Sequence, residues 1–442
     1  MMIKQVIISF YRKVVPLRIK KLLCLGNRFN QIWEWYLIKR VPSRQRKALQ
    51  ELQGKEKIRC VFFALFDSVW KYDVIYRIME KHPRFEPVIL VCPIVNYGRV
   101  NMLKNMEESL LYYKKKGFRV LKSYDEKTDS YLDVRKTLNP DIIFFTNPYK
   151  GLIDDQYFIT EFQDKLTIYV PYSMNNSKAH EANYGLILYN LLWRHYLPTT
   201  KHLDYSIAYS RNKGRNSVVS GYPAIEELVD GHETTGADWK LPNKELKKII
   251  WAPHHTIEPV GVVYFSCFLR YCDFMIKMAC KYSDKIQMVF KPHPLLKNKL
   301  DLLWGKEKAD AYYAKWKKMP NTNVNEGDYI DLFLTSDAMI HDSGSFISEY
   351  LYVNKPVMRT LNDVDESEKM NDFAMECISN HYLAKKESDI EQFIQNVIHD
   401  VDPLKDKRTK FVEQVLMPKG SPSENIVNDI LDSIDHQVLY RN

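Results

Sequence analysis

Short, continuous apolar runs alternate with helical stretches along most of this chain, and this alternation restricts the possible folds more than any other feature of the sequence. The first series contains IRCVFFALF (58–66), FEPVILVC (85–92), DIIFFTNP (141–148) and LTIYVPYS (166–173). Buried strands that alternate with helices are typical of a parallel sheet covered on both faces. The pattern therefore predicts a Rossmann-like α/β domain over residues 56–230.

A second series of the same kind begins after a polar stretch with glycines and a proline, residues 231–248, which we interpret as a linker. Its apolar runs are KIIWAPHH (248–255), IQMVFKPHP (286–294), the end of IDLFLTSDAMIHDSGS (330–345) and KPVMRTL (355–361). We predict a second Rossmann-like domain over residues 249–400, followed by helices over 401–442. Two such domains facing across a cleft predict the GT-B architecture, with ligands outside the carboxyl ends of strands.

The composition agrees with a large globular protein. A length of 442 residues fits two domains, because single cores stop growing beyond about 250–300 residues. Hydrophobic residues make up 45% of the chain, and only 15 glycines and 20 prolines are present, which excludes a fibrous or low-complexity protein. The seven cysteines are scattered and form no CxxC pair. This usage favours a reducing compartment and argues against a structural zinc site.

Basic residues are concentrated in the first 50 positions, which carry twelve Lys or Arg and one acid, Glu34. This segment is +11 and the whole chain is +9, so the remainder is −2 and lacks the basic character of a nucleic-acid-binding protein. The segment has no apolar run long enough to span a bilayer and no cleavable signal. Its aromatic and aliphatic residues lie at helical spacing among the cations, which predicts that residues 1–50 contact an anionic membrane surface. The alternative is a solvated helix pair packed on the body.

Polar residues follow three of the apolar runs in the second series, where each predicted strand ends. They are His254 and His255, then Lys291 and His293, and then Asp342, Ser343, Gly344 and Ser345. If the strands are parallel, these residues share one edge of the sheet. A cation, imidazoles, hydroxyls and the N-terminus of a helix predicted over 346–353 then converge, which suits a pyrophosphate. We therefore predict that these residues bind the diphosphate of a donor.

The serines and the following helix also have a simpler interpretation. Serine is a favoured N-cap residue, so Ser343 and Ser345 can stabilise the helix by about 1 kcal/mol and still leave N–H groups for an anion. Glu349 lies four residues after Ser345, one turn into the helix. Its carboxylate either accepts hydrogen bonds from a ribose or is solvated, and the spacing does not separate these alternatives.

The histidines are open to structural interpretations as well. Pro292 and Pro294 fix the backbone on either side of His293 and hold its imidazole at a strand exit, where it either binds the anion or caps a loop. His254 and His255 cannot both face the edge if the strand continues through them, because neighbours alternate sides, so one of them is expected to be structural. No HxH, HExxH or clustered carboxylate spacing supports a metal site, and we predict none.

These motifs resemble the CDP-glycerol glycerophosphotransferases, the teichoic-acid primase and polymerase enzymes of GT-B fold. The resemblance rests on FKPHP (290–294), SDAMIHDSGSFISEYLYVNKPV (336–357), VVSGYPAIEEL (218–228) and the stretch from YVPYSMNN to LLWRHYLPTTKHLDYSIAYS (169–210). It implies a cofactor-independent transferase that moves glycerol phosphate or ribitol phosphate from a CDP-alcohol to a hydroxyl of a surface-polysaccharide or lipid-linked glycan acceptor, releasing CMP. It further implies that His293 is catalytic and assists the departing CMP, while the turn at Ser343, Gly344 and Ser345 holds phosphate oxygens.

Two positions depart from the pattern of the family. Typical members carry a WHGTP-like segment whose histidine resembles a catalytic base, and YVPYSMNN has no histidine. His180, His195 and His202 follow nearby without matching the motif, so the base is unassigned. The first strand of the second domain usually ends in PTWR, and here APHHT requires His254 or His255 to replace the arginine cation.

Two other functions stay open at this point. The turn and helix DSGSFISEYLYVNKPV are also similar to those of UDP-N-acetylhexosamine 2-epimerases, which implies a GT-B nucleotide-sugar enzyme with Glu349 on the ribose. The missing histidine of the first domain is compatible with a non-catalytic membrane-associated scaffold. The resemblance and the basic N-terminus together imply a peripheral protein at the cytoplasmic face of a bacterial cell membrane, in teichoic-acid or capsular-polysaccharide synthesis.

Overall fold

The computed structural model describes residues 17–229, 234–242, 245–258, 264–417 and 419–441, and for residues 17–29 it describes the backbone. The first 16 residues of the predicted membrane-contacting segment and parts of the predicted linker (231–233 and 243–244) lie outside the described residues. The described chain forms two parallel sheets with helices on both faces, as the alternation of apolar runs and helices predicted.

The first sheet has seven strands. They are β1 (Ile58–Ala64), β2 (Phe85–Val91), β3 (Val120–Lys122), β4 (Ile142–Phe145), β5 (Leu166–Tyr169), β6 (Arg194–Leu197) and β7 (Ser217–Val219). Their order is β3-β2-β1-β4-β5-β6-β7, and all neighbours are parallel. The sequence analysis missed β6 and β7. Arg194 and His195 interrupt the apolar pattern of β6, although both side chains are buried.

The second sheet has six strands. They are β8 (Lys247–Ala252), β9 (Ile286–Phe290), β10 (Thr322–Val324), β11 (Ala338–His341), β12 (Val357–Thr360) and β13 (Tyr382–Ala384). Their order is β10-β9-β8-β11-β12-β13, again with all neighbours parallel. Both sheets have the strand order of a doubly wound fold, which confirms the predicted pair of Rossmann-like sheets in a GT-B architecture. In the second sheet the order reverses between β8 and β11.

Helices cover both faces of the two sheets. In chain order they are α1 (Leu17–Glu51), α2 (Asp73–Lys81), α3 (Arg99–Lys115), α4 (Val134–Thr137), α5 (His180–Tyr184), α6 (Ile187–Leu191), α7 (Thr200–Tyr209), α8 (Glu226–Val229), α9 (Phe268–Lys281), α10 (Leu296–Trp304), α11 (Lys306–Lys318), α12 (Ile330–Thr335), α13 (Phe346–Glu349), α14 (Glu366–Lys369), α15 (Asp372–Ile378), α16 (Glu387–Ile398), α17 (Lys405–Phe411) and α18 (Pro422–Asp435). In the part of the chain that the structure describes, no helix has the length and apolar character needed to cross a bilayer.

Both ends of the chain pack on the first sheet. In α1, Leu37, Val41 and Leu49 are buried in its core, so the C-terminal part of the predicted basic segment belongs to the body of the protein. The last helix, α18, returns from the second domain and buries its apolar face in the same core. Arg194 of β6 fixes this return, since its Nε donates to a carboxylate oxygen of Asp429 at 2.9 Å. Removing either end therefore exposes core residues of the first domain.

The predicted linker is docked on the second domain. Trp239 is buried, and its indole N–H donates to Thr335 at the end of α12 (2.8 Å). The backbone N–H groups of Thr235 and Gly236 donate to the carboxylate of Asp331 at the start of the same helix. One apolar cluster also contains residues of both sheets, so the two domains share part of their core. These contacts fix the position of the second-domain strand ends relative to the first domain.

Candidate active site

Three neighbouring strands bring the predicted donor-binding residues to one edge of the second sheet. β8 lies between β9 and β11 and pairs in parallel with both, with Trp251 opposite Phe290 and Ala252 opposite His341. The strands therefore end at the same level, and the segments 253–255, 291–294 and 342–345 follow side by side. The common edge predicted from the sequence is confirmed, and it lies at the point where the strand order reverses.

His254, His255 and His293 form a cluster at this edge. Their ring centroids are 4.4 Å apart for His254 and His255, 4.8 Å for His254 and His293, and 4.2 Å for His255 and His293. We expected only one of the neighbours His254 and His255 to face the edge, and this expectation was wrong. The strand ends at Ala252, and the chain turns at Pro253, so the side-to-side alternation of a strand no longer applies to these residues.

The distances within this histidine cluster also suit a metal ion, because one ring nitrogen from each residue lies within 4.8 Å of the others. The hydrogen bonds of the rings favour an anion instead. Nδ1 of His293 accepts the backbone N–H of Leu295 (3.1 Å). Nδ1 of His254 pairs with the hydroxyl of Thr256 (2.8 Å), and that hydroxyl oxygen already accepts the backbone N–H of Phe265 (3.0 Å), so the hydroxyl proton is available to Nδ1. In a neutral imidazole the proton is then on Nε2, which is a donor and not a metal ligand. His254 and His293 thus each offer an N–H to an anion.

Burial keeps the histidine cluster neutral near pH 7. It lowers the pKa of His254 to about 2 and that of His293 to about 4, and the neighbouring imidazoles and Lys291 contribute to the same shift. Burial also lowers the pKa of His255. An anion that reaches the cluster raises these pKa values again, because it favours the charged form of each ring.

The turn from Ser343 to Ser345 lies beside the cluster, and its geometry differs from the predicted helix cap. The α-helix that follows, α13, has only four residues and continues as a 3₁₀ turn over Tyr350–Val353. No side chain caps it, and the two serine hydroxyls instead lie 3.4 Å from each other. The N-cap interpretation of Ser343 and Ser345 was therefore wrong.

Gly344 allows this turn to pass close to an aromatic ring. A Cβ atom at this position would lie 3.1 Å from Cε2 of Phe265. Such a contact is tighter than ordinary van der Waals distances, and Phe265 is itself buried against His254. The absence of a side chain at Gly344 therefore lets the turn and the histidine cluster share one wall.

Asp342 has a structural role that the sequence analysis did not predict. One carboxylate oxygen accepts the backbone N–H of His254, and the other accepts the backbone N–H of Cys267 (2.6 Å). The side chain is 1% exposed, and burial raises its pKa to about 7. The prediction that Asp342 contacts the donor is therefore corrected. Its oxygens hold the loop that carries the histidine cluster.

Lys291 is also engaged within the protein. Its Nζ donates to the carbonyl oxygen of Gly327 at 2.6 Å, and the side chain is buried. Burial lowers its pKa, while Asp328, Asp238 and Glu326 act in the opposite direction. This position still brings a positive charge near His293, whose pKa it lowers. Lys291 thus adds to the positive potential at this edge of the sheet, and one of its three N–H groups is already hydrogen-bonded to Gly327.

Glu349 is buried, so the alternative of a solvated carboxylate was wrong. It is 4% exposed and accepts a hydrogen bond from the hydroxyl of Tyr329 at 2.9 Å. Burial raises its pKa, and Lys71 of the first domain acts in the opposite direction. A contact between Glu349 and a ribose remains a prediction.

A loop of the first domain contacts the Ser343–Ser345 turn directly. The Nδ2 group of Asn176, seven residues after the end of β5, donates to the carbonyl oxygen of Gly344 (2.8 Å) and to the hydroxyl of Ser348 (3.1 Å). The backbone N–H of Asn371 donates to the carbonyl oxygen of Asn176 at 3.0 Å. The edge that carries the histidine cluster is therefore closed on this side by the first domain.

A comparison of the sequence with protein families agrees with this geometry. The sequence profile of the family described as CDP-Glycerol:Poly(glycerophosphate) glycerophosphotransferase matches residues 189–432, more than half of the chain. The chain belongs to this family. The match includes every strand end of the second domain that forms the candidate site, and it favours a transferase over a non-catalytic scaffold.

Relatives of this glycerophosphotransferase family member agree with the assignment. The teichoic acid ribitol-phosphate polymerase TarL of Staphylococcus aureus (strain NCTC 8325 / PS 47) is 25% identical over 173 residues, which are 36% of this chain and 27% of TarL. The match thus covers about a quarter of the length of that curated relative. It supports the family and leaves the activity, substrates and partners of the whole protein as proposals.

Solved structures show the fold of this family member. The wall teichoic acid polymerase TagF has a TM-score of 0.59 at 14% identity, and the match covers 93% of this chain and 99% of TagF. The MnaA–UDP complex of S. aureus has a TM-score of 0.56 at 14% identity, covering 87% of this chain and 99% of MnaA. Identities this low establish a shared GT-B fold and nothing about the nucleotide.

His180, His195 and His202 of the first domain differ in their contacts. His202 is fully bonded, because Nε2 donates to the carbonyl oxygen of Met174 (2.6 Å) and Nδ1 pairs with the hydroxyl of Thr199 (2.8 Å). His180 pairs with the carbonyl oxygen of Ser177 at 3.2 Å. His195 has no side-chain hydrogen bond to any described residue. None of the three is placed as a catalytic base by these contacts.

Arg359 is a site residue that the sequence analysis missed. It lies near the end of β12, and its Nη1 donates to the carbonyl oxygen of Ser343 at 3.0 Å. Its Nε donates to Glu366 (2.6 Å), whose carboxylate also pairs with Lys369. The guanidinium is fully buried, and its hydrogen bond to Ser343 fixes the Ser343–Ser345 turn. The signal in the sequence was an arginine within an otherwise apolar strand, KPVMRTL.

Proposed function

We propose that this protein transfers an alcohol phosphate, glycerol phosphate or ribitol phosphate, from a CDP-alcohol to a hydroxyl group of a surface-polysaccharide or lipid-linked glycan acceptor, with release of CMP. The observation that carries this proposal is the histidine cluster beside the Ser343–Ser345 turn. Two Nε2–H donors, two hydroxyls and a nearby lysine face one edge of the sheet, which suits a diphosphate.

The chemistry proposed for this site follows from those donors. The acceptor oxygen attacks the phosphorus that carries the alcohol, and the bond from that phosphorus to the bridging oxygen breaks, so CMP leaves with the bridging oxygen. Negative charge develops on this oxygen and is spread over the phosphoryl group in transit. His293 and His254 stabilise that charge by donating Nε2–H bonds, and the serine hydroxyls orient the phosphoryl oxygens. The group that takes the acceptor proton is not assigned.

The proposed donor is tested by binding and product release together. Purified protein is incubated with CDP-glycerol, CDP-ribitol, UDP-N-acetylglucosamine or CMP, and both the melting temperature and the release of CMP are measured. We expect stabilisation by a CDP-alcohol and by CMP, with CMP released when an acceptor is added. A response to the uridine nucleotide alone would instead support the nucleotide-sugar enzyme that the turn and Glu349 leave open.

A substitution of His293 tests the role proposed for this residue. His293→Asn keeps a polar side chain of similar reach at the strand exit but lacks the Nε2–H of an imidazole. We expect kcat to fall by about 10²-fold or more, as for the loss of one donor to a developing oxyanion. His436→Asn is the matched control, because His436 is exposed and directly follows α18. Unchanged turnover by His293→Asn would exclude the assigned role.

We also propose that the N-terminal region binds the anionic surface of a membrane, on the cytoplasmic face. Before α1 enters the core, it exposes four large apolar side chains, which we call the aromatic patch: Ile32 (63% exposed), Trp33 (56%) and Tyr36 (36%) on one side of the helix and Trp35 (57%) on another. Lys39 lies 4.2 Å from the ring of Trp35. Amphipathic aromatic rings beside cations are favoured at the interface of an anionic bilayer. This arrangement supports a lipid-linked acceptor.

Membrane binding is tested without removing core residues. The full chain with Ile32→Ala, Trp33→Ala and Trp35→Ala is compared with the native chain for partition into vesicles of phosphatidylglycerol and of phosphatidylcholine. We expect at least about a tenfold lower partition into anionic vesicles for the triple variant. Leu302→Ala, which removes an 86% exposed leucine of the second domain, is the control. Equal partition of all three proteins would exclude the aromatic patch as a docking surface.

A further inference from the structure

A small cavity lies in the first domain, between the segments that follow β4 and β5 and the start of β6. Its volume is about 30 Å³, and its walls include Tyr172, Asn175, Tyr184, Tyr189 and His195. A space of this size holds one or two water-sized groups. It is far too small for a nucleobase, so the cavity suits a single hydroxymethyl group of a larger molecule.

The walls of this tyrosine-lined cavity are polar without being charged. Among its described lining residues there is no Asp, Glu, Lys or Arg, and phenol and amide groups predominate. Burial lowers the pKa of His195 to about 3, so the ring is neutral near pH 7. Burial raises the pKa values of Tyr172, Tyr184 and Tyr189, so these phenols are neutral as well. Such walls offer hydrogen bonds and aromatic faces to an uncharged polyol or sugar and offer no cation to a phosphate.

His195 is the group in the cavity that lacks a protein partner. It is 2% exposed and stacks on Tyr189 with ring centroids 4.5 Å apart. No described residue forms a hydrogen bond with its ring nitrogens. Buried polar groups are normally hydrogen-bonded, so an imidazole that lines a cavity without a protein partner indicates a hydrogen-bonding group within the cavity, either a water molecule or a ligand hydroxyl.

The tyrosine-lined cavity is connected to the donor site through adjacent residues. Asn175 lines the cavity, and its carbonyl oxygen accepts a hydrogen bond from Asn371 of the second domain at 2.6 Å. The next residue, Asn176, donates to Gly344 in the turn beside the histidine cluster. A group held beside Asn175 is therefore one residue away from the wall of the donor site.

We propose that this cavity binds the uncharged, hydroxyl-bearing end of the acceptor, with His195 and Tyr172 as its hydrogen-bond partners. This inference rests on the proposed transferase function, because it assigns the acceptor side of that reaction. A terminal phosphate or carboxylate on the acceptor is excluded by the same neutral walls. The cavity thus selects a free alcohol, polyol or sugar, as the receiving group.

The test uses glycerol and ribitol as acceptor probes with CDP-glycerol as donor, on the full chain. His195→Phe keeps an aromatic ring on Tyr189 and removes both nitrogens, while Tyr172→Phe removes one hydroxyl from a half-buried ring. We expect KM for the acceptor probe to rise up to about tenfold for each lost hydrogen bond, with the donor Kd unchanged. Tyr97→Phe, a 61% exposed tyrosine of the same domain, is the matched control.

The outcomes separate this inference from the proposed function. Acceptor KM values within twofold of the native protein in both variants would overturn the cavity assignment, whereas the donor results would stand. If His195→Phe fails to fold, judged by its circular dichroism and melting temperature, Tyr172→Phe decides the question. If the native protein releases no CMP, the proposed function fails. Saturation-transfer NMR with glycerol then tests the cavity, and a signal unchanged by Tyr172→Phe would overturn it.

Discussion

Asn176 of the first domain donates a hydrogen bond of 2.8 Å to the carbonyl oxygen of Gly344, the central residue of the predicted phosphate-binding turn. The contact crosses the interface between the two sheets, and the side chain of Asn176 is buried. The conformation of the turn therefore depends on how the first domain sits against the second. Donor binding and closure of the interface are expected to be coupled through this hydrogen bond.

The first prediction concerns this contact. Asn176→Asp keeps the size of the side chain but replaces the donating amide with an acceptor that faces two acceptors, Gly344 and Ser348. We expect the free energy of unfolding to fall by about 1–3 kcal/mol and the Kd for CDP-glycerol to rise by about tenfold. Asn323→Asp is the control, because Asn323 donates to the carbonyl oxygen of Asp238 (3.0 Å), in the linker docked on the second domain, and not across the interface between the two sheets. Equal effects of both substitutions on donor binding would contradict the coupling.

The second prediction concerns Asp342, which joins the loop of the histidine cluster to Cys267. In Asp342→Asn only one side-chain oxygen remains, and the new amide faces a backbone N–H group. We expect a loss of about 1–3 kcal/mol of stability, since one buried N–H loses its acceptor. Chemical denaturation checks the loss, and binding of CDP-glycerol is expected to weaken with it. Native-like stability would mean that Asp342 does not hold this loop.

The third prediction is a pH dependence of donor binding. Without ligand, the pKa of His293 is about 4 and that of His254 is about 2, so both are neutral above pH 5.5. A bound diphosphate raises these pKa values, so the complex takes up protons that the free protein does not hold. We expect affinity for CDP-glycerol to increase as the pH falls from 7.5 to 5.5, by up to about tenfold per pH unit for each proton taken up.

Calorimetry in buffers of different ionisation enthalpy measures this proton uptake directly. CDP-glycerol is the suitable ligand, because its diphosphate is esterified at both ends and does not titrate in this range. His293→Asn is expected to reduce the number of protons taken up. Affinity that is independent of pH, or proton release on binding, would show that the imidazoles do not contact the diphosphate.

The fourth prediction concerns acid stability. Burial lowers the pKa values of His195, His202 and His381 to about 3, 4 and 3, whereas the unfolded chain titrates near 6.5. Between about pH 4 and 6.5 the unfolded chain binds more protons, so stability falls as the pH falls, by about 1.4 kcal/mol per pH unit for each histidine. The raised pKa of Asp342 has the opposite sign and offsets one of them.

Denaturant unfolding at pH 7.0, 6.0 and 5.0 checks this slope. His195→Phe is expected to reduce the slope by the share of one histidine. His436→Phe is the matched control, because His436 is an exposed histidine. A stability that is constant or rises towards pH 5.0 would show that the buried histidines are not kept neutral in the folded protein.

The amino-acid sequence by itself determined the architecture of this protein and the position of the donor-binding edge. Alternating apolar runs and helices indicate which segments are buried. A strand that is buried on both faces is apolar at nearly every position, so its burial can be predicted from its own sequence. The parallel order then brings the residues after β8, β9 and β11 together without further information. Strand β6 was not predicted in this way, because it begins with a charged residue, Arg194. Its burial depends on pairing with Asp429, 235 residues away in the chain.

Only the tertiary structure decided what the individual side chains do at that edge. The sequence pattern assigned Asp342 and the serines to the donor, with a helix cap as a second interpretation of the serines, but the partners of Asp342 and of the turn come from distant segments. Asp342 is bonded to the loop at His254, and Arg359 reaches the turn at Ser343 from a different strand. Spacing along the chain predicts which residues share an edge. Their hydrogen-bond partners, and so their tautomers and charges, depend on contacts between segments that spacing does not encode.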